Sequence, residues 1–135
     1  MKYMLDTNIC IYTIKHRPET VIQNFLKHDP AEMCVSAITY AELMHGVEKS
    51  QFPDKNRIAI SMFLSALTVL DFDGLAAEEY GSIRADLERK GTPIGPMDML
   101  IAGHARAEGL ILVTNNTREF IRVDNLQVED WAQAE

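Results

Sequence analysis

The chain has 135 residues, 47% hydrophobic and 24% charged, with seven glycines and five prolines, which is the make-up of a globular unit and excludes a tail or a fibre. A net charge of −7 argues against charge-driven binding to bulk nucleic acid, so a nucleic-acid role would need local positive charge, such as a bound metal ion or a basic partner. No apolar leader with a small-residue cleavage site opens the chain, and nowhere do about 18 uncharged apolar residues run together, which points to a cytoplasmic protein without a membrane partner.

The first predicted strand, Tyr3 to Leu5, runs straight into Asp6, Thr7 and Asn8, with a helix expected from near Asn8 or Ile9. Pro18 fits a first helical position ahead of Val21, Ile22, Phe25 and Leu26. A second strand, Met33 to Val35, leads into a helix carrying Glu42, and "KSQFPDKNR" reads as the turn between two helices. A third strand, Leu67 to Leu70, precedes a helical pattern through Ala76, Tyr80, Ile83 and Leu87 that Gly91 closes. After "GTPIGP" a further helix runs from Met97 through Ile101 and Ala105 to Gly109. The strand Leu110 to Val113 follows, then a weak edge strand near Leu126 to Val128. Short apolar runs alternating with helical stretches make this an α/β chain, read as a single domain over 1–135 with its sheet covered on both faces. Cys10 and Cys34, without CxxC or Cys/His spacing, read as small buried hydrophobes.

Three acids fall at element starts: Asp6 after the first strand, Glu42 after the second, and Asp98 after "GTPIGP". Singly, each has an ordinary explanation. Asp6 would cap a helix, Glu42 would form a capping box with Thr39 or follow a Ser36 cap, and Asp98 would favour a helix dipole in the first turn after Pro96. Together they suggest more, because ligands of open α/β sheets bind beyond the carboxyl ends of the strands, where strand order reverses. Carboxylates brought together there disfavour one another's ionisation unless a divalent cation neutralises them, and oxygen-only donors favour Mg²⁺ or Mn²⁺ over zinc.

"MLDTNIC", "SAITYAEL", "GTPIGPMDMLIAGHA" and "LVTNNTREF", in this order along the chain, resemble the PIN-domain ribonucleases, most of all the VapC-type toxins of bacterial toxin–antitoxin pairs. The resemblance implies a three-layer α/β/α fold around a short parallel sheet. It also implies RNA hydrolysis with Mg²⁺ or Mn²⁺, with Asp6 and Asp98 as principal ligands and Glu42 binding directly or through water. Water would attack, leaving a 5′-phosphate and a 3′-hydroxyl. Where the family usually has a fourth acid, Asn116 stands, an amide that can accept a metal or position a water but adds no charge. Glu119, three residues on, could reach back if Asn116 begins a helical turn. Thr7, Asn8, Thr114 and Asn115 would support the acids or line the crevice, or serve only as turn and cap residues.

Candidate RNA contacts are Lys15, His16 and Arg17 after the first helix, Arg84, Arg89 and Lys90 beside "GTPIGP", and Arg106 and Arg118; solvated helix faces are the alternative. By resemblance the substrate is a structured RNA such as tRNA. The partners would be a VapB-type antitoxin received by apolar residues after Pro18 and Pro53, a second copy in a homodimer or higher assembly, and operator DNA only through the antitoxin. His104 reads as structural. Two rival readings are a catalytically impaired PIN-like binding module, because of Asn116, and a phospho-acceptor domain, which lacks its adjacent acid pair and late lysine here.

Overall fold

The computed structural model describes residues 1–133. Five strands, β1 (Tyr3–Leu5), β2 (Met33–Ser36), β3 (Thr68–Leu70), β4 (Ile111–Val113) and β5 (Val128–Glu129), form an all-parallel sheet in the order β3-β2-β1-β4-β5. The helices between them are α1 (Thr7–Lys15), α2 (Glu19–Leu26), α3 (Ala37–Glu48), α4 (Pro53–Leu64), α5 (Gly74–Lys90), α6 (Pro96–Glu108) and α7 (Thr117–Phe120).

Alternation along the strands sorts the core into two layers. Met4, Cys34 and Leu112 face α5 and α6 with Ile83, Leu87, Met99 and Phe120, while Tyr3, Leu5, Val35 and Val113 face α1 to α4 with Ile9, Val21, Leu43 and Ile60. The expected three layers are therefore present. Both cysteines are buried. None of the described helices is long and apolar enough to cross a membrane.

Several boundaries differ from the sequence reading for local reasons. Asp6 caps α1 so closely that the helix begins at Thr7, and Pro18 stands just outside α2 with extended ψ of 154°. Ser36 caps α3, which leaves Thr39 and Glu42 inside the helix; the Thr39–Glu42 capping box does not form. The second half of "KSQFPDKNR" opens α4 at Pro53 instead of remaining in the turn, and the last strand lies two residues later than expected at its start. Gly91 and Gly109 end α5 and α6 with φ of 70° and 66°, where a side chain would be strained.

Helix α6 is buried nearly all round from Ile101 to Ala105 and lies close against α5. A Cβ added at Gly103 would stand 2.8 Å from the Tyr80 backbone nitrogen, so Gly103 is what permits the approach. Gly103→Ala is expected to lower stability by about 2 kcal/mol or more in urea unfolding, through displacement of packed backbone. Unchanged stability would show that the two helices separate freely.

Candidate active site

The sheet's strand order reverses between β1 and β4: one half of the chain runs outward through β2 and β3, the other through β5. Leu5 pairs with Val113, so Asp6 and Thr114 leave the sheet side by side at this switch point. The Asp6 N–H donates to the Val113 carbonyl at 2.9 Å. The Asp6 carboxylate is 4% exposed and accepts the Ile9 N–H at 2.9 Å, as the cap of α1. Burial pushes its pKa up from 3.8 to about 6; bonds from the Thr114 hydroxyl and Ile9 N–H oppose the shift, and the charges of Asp98 and Glu42 reinforce it.

The remaining acids come from three other helices, and Glu42 sits in the second turn of its helix and not at its start as the sequence suggested. Glu42, half-buried on α3, accepts the Thr7 hydroxyl at 2.6 Å. Asp98, in the first turn of α6, is also pushed up to about 6, by burial and then by the charges of Glu42 and Glu119. Glu119, on α7, accepts the Asn116 side-chain amide at 2.9 Å, while the Asn116 N–H donates to Thr114 Oγ1 at 2.9 Å. Asp6 is thus linked by charge to Asp98 and Glu42, and Asp98 in turn to Glu42 and Glu119, with Asn116 bonded to Glu119. Among the described residues, however, no three acids, histidines or cysteines stand close enough to hold an ion as they are. The carboxylates act on one another's charge without meeting.

The donor chemistry fits a hard divalent cation. All four acids offer oxygen, and two carry pKa values raised partly by their neighbours, an excess of negative charge that a cation relieves. Asn8 is exposed, whereas Thr114 is buried. Asn115 donates to the Tyr12 hydroxyl at 3.1 Å, and its own Oδ1 is buried without a partner among the described residues. Tyr12 was not singled out from sequence. Its one signal there is its place a single helical turn after Asn8.

The basic residues divide. Arg84 is engaged by Tyr80 and Glu88, Lys90 by Asp86 and Asp124, Arg89 by Asp86 at 3.9 Å, and Arg106 by Glu79 and the Asp124 carbonyl. Lys15, Arg17 and Arg118 form no ion pair among the described residues. Lys15 lines a mainly apolar groove of about 270 Å³ with Glu42, Ile11, Leu43 and Ile60, between α1, α3 and α4. A larger hollow, about 470 Å³, lies among Glu79, Asp86, Arg106 and Asp124, and none of Asp6, Glu42, Asp98 or Glu119 lines it.

The PIN domain model matches residues 3–126. The tRNA(fMet)-specific endonuclease VapC of Shigella flexneri is 54% identical over 98% of this chain and 99% of its own length. Ribonuclease VapC2 of Haemophilus influenzae is 52% identical over 97% and 98% respectively. Among solved structures, a DNA-bound VapBC from Salmonella typhimurium superposes with a TM-score of 0.91 at 51% identity, covering 97% of this chain and 98% of that one. VapBC2 from Rickettsia felis, bound to a fragment of its promoter, gives 0.90 at 43% identity, over 97% and 99%.

The raised pKa of Asp6 has a direct consequence for stability. Between about pH 4 and pH 6 the folded chain holds the Asp6 proton more tightly than the unfolded chain, so stability falls as pH rises through that window. A shift from 3.8 to about 6 corresponds to roughly 3 kcal/mol against the fold above it. Asp6→Asn preserves the helix cap and removes the charge. In chelator at about pH 8 the variant is expected to unfold at higher denaturant than the parent, with the gap closing towards pH 4 and narrowing when Mn²⁺ is added. A variant less stable than the parent at pH 8 would show that the carboxylate is already compensated.

Proposed function

The chain belongs to the PIN-domain family, among its VapC ribonucleases, and on that premise we propose a Mg²⁺- or Mn²⁺-dependent endoribonuclease toxin that cuts a structured RNA and is silenced by a VapB-type antitoxin. The observation that carries this reading is Asp6: a carboxylate buried at the sheet's switch point, its charge opposed by Asp98 and Glu42. Protein groups alone leave that charge poorly compensated, and a divalent ion is the natural partner for it.

Asp6, Asp98 and Glu42 would hold the ion, with Glu119 adding a fourth negative charge. When bound, Mg²⁺ or Mn²⁺ supplies Lewis-acid activation of a water and neutralises phosphate charge. The chain's own residues fix the donors. The Thr114 hydroxyl and Ile9 N–H orient Asp6, Thr7 orients Glu42, and the Asn116 amide orients Glu119. The site requires no nucleophilic side chain. Of the candidate RNA contacts, Lys15, Arg17 and Arg118 form no ion pair among the described residues and are free to meet RNA phosphates, while Arg84, Arg89 and Lys90 are drawn towards acids of their own helix or towards Asp124. The naming of the Shigella flexneri relative supports tRNA as the substrate class, and hydrolysis in the cytoplasm would then stop translation.

The groove beside Glu42 and the exposed Ile58 and Met62 on α4, with Leu26 on α2, suit an amphipathic segment of the antitoxin. The DNA-bound VapBC relatives support operator contact through that antitoxin; pairing of the toxin into a homodimer is part of the same proposal. Asn116 also motivates a second reading, a PIN scaffold that binds without cutting. Glu119, whose charge acts on Asp98, favours the enzyme.

Antitoxin-free protein with Mg²⁺ is expected to cleave tRNA, leaving 5′-phosphate and 3′-hydroxyl ends readable by end-mapping. Asp6→Asn or Asp98→Asn should each reduce the rate by about 100-fold or more, and Glu119→Gln by about tenfold. Full Mg²⁺-dependent cleavage by either aspartate variant would remove the metal mechanism. RNA binding by the parent without cleavage, in Mg²⁺ and in Mn²⁺, would establish the binding scaffold instead.

A further inference from the structure

One buried polar contact joins the two helices that carry Glu42 and Asp98. His104 is fully buried, and its Nδ1 lies 2.7 Å from Ser36 Oγ, across 68 positions of sequence. Ser36 is the last residue of β2 and the cap of α3, where its hydroxyl oxygen accepts the Ile38 N–H at 3.1 Å. Because Met4 pairs with Cys34, Ser36 stands two residues further along at the level of Asp6, on the same edge of the sheet. Along α6, His104 lies nearly two turns beyond Asp98; along α3, Glu42 lies nearly two turns beyond Ser36. A single bond therefore ties the start of the Glu42 helix to the body of the Asp98 helix.

The chemistry of the pair is that of a strut. The Ser36 oxygen accepts the Ile38 N–H, and we assign its hydroxyl hydrogen to Nδ1, which places the imidazole proton on Nε2. Burial lowers the imidazole pKa and keeps the ring neutral, against the opposing charges of Glu108 and Asp73 and the nearby Asp71 backbone carbonyl, which does not reach hydrogen-bond geometry with Nε2. Nε2 has no partner among the described residues, and the Phe72 ring stands edge-on at 5.4 Å. An apolar side chain of the same volume would avoid that unpaired nitrogen, so packing alone does not account for a histidine here. At the neighbouring position Gly103 presses on Tyr80, so α6 is located by contacts with both α5 and the β2–α3 junction.

We propose that the Ser36–His104 hydrogen bond is a positioning pair, fixing α3 against α6 so that Glu42 and Asp98 are held on the same side of the sheet edge as Asp6, from where a bound ion can draw them in. It rests on the carboxylate site described above. His104 touches no reacting atom and acts through the two helices.

The test compares full-length His104→Leu, His104→Asn and Asp98→Asn with the parent by metal-free melting temperature, by Mn²⁺ affinity from the electron paramagnetic resonance of the free ion, and by kcat and KM on RNA. Leucine fills the space but removes the bond. It is expected to melt no lower than the parent, yet to lose on the order of tenfold in both Mn²⁺ affinity and kcat, with KM unchanged. Asparagine can still accept the Ser36 hydrogen; it should melt lower, yet keep affinity and kcat within about twofold. A merely structural histidine gives the opposite ranking, and affinity and kcat that follow melting temperature across the two variants would overturn the proposal. Parent-like values in His104→Leu beside weakened Mn²⁺ binding in Asp98→Asn would overturn the strut alone. Parent-like Mn²⁺ binding in Asp98→Asn would overturn the carboxylate site and the strut with it.

Discussion

Asp6 is a carboxylate that the fold removes from water at the point where its sheet changes direction, and much of the surrounding structure manages the consequence. Two hydrogen bonds favour its charged form, from Ile9 N–H and Thr114. Burial and two neighbouring acids outweigh them. A site arranged for stability alone would place an amide or a hydroxyl there and leave the helix cap intact. Under the proposed metal mechanism the acid has a purpose that stability alone does not give it, and the surrounding geometry supports a charge that protein groups leave poorly compensated.

That support is distributed over separate, short elements. β1 and β4 have three residues each, too few to hold a crevice open by their own ladder, but both are buried on each side by helices. Their parallel pairing fixes Asp6 beside Thr114, and from Thr114 a short relay of bonds runs through Asn116 to Glu119. Glu42 and Asp98 arrive on longer helices whose placement depends on packing: α3 on its Ser36 cap, α6 on the Gly103 contact with α5. Rigid helices thus bring mutually repelling groups together more reliably than loops would.

The strands and their order of appearance were legible in the sequence because buried parallel strands are short aliphatic runs, as in Tyr3–Leu5 and Ile111–Val113. Asp6, Glu42 and Asp98 were legible as acids at element starts, and the family pattern gave them a common purpose. Three features were harder to read. The helix-capping competition between Ser36 and Thr39 turns on which residue leaves the sheet last, a tertiary matter. The pairing of Arg84, Lys90 and Arg106 with acids depends on side chains up to 34 residues apart, so candidate RNA contacts shrank once neighbours were known. The Ser36–His104 bond spans half the chain, and nothing local to either residue announces it.

Under the proposed mechanism, the amide at position 116 stands where an acid would add charge to the site. An aspartate there would place a fourth charge close to Thr114 and Asp6, in a crevice where two carboxylates already have pKa values near 6. Asn116 instead donates a hydrogen bond to Glu119 and leaves the charge on a longer side chain three residues away, with Asp98 as the acid it perturbs. The acids that raise the Asp6 pKa are Asp98 and Glu42. Protons and a divalent ion compete for the same two aspartates, so every increment of negative charge that tightens an ion also raises the acids' affinity for protons. Moving the fourth charge outward moderates both effects together.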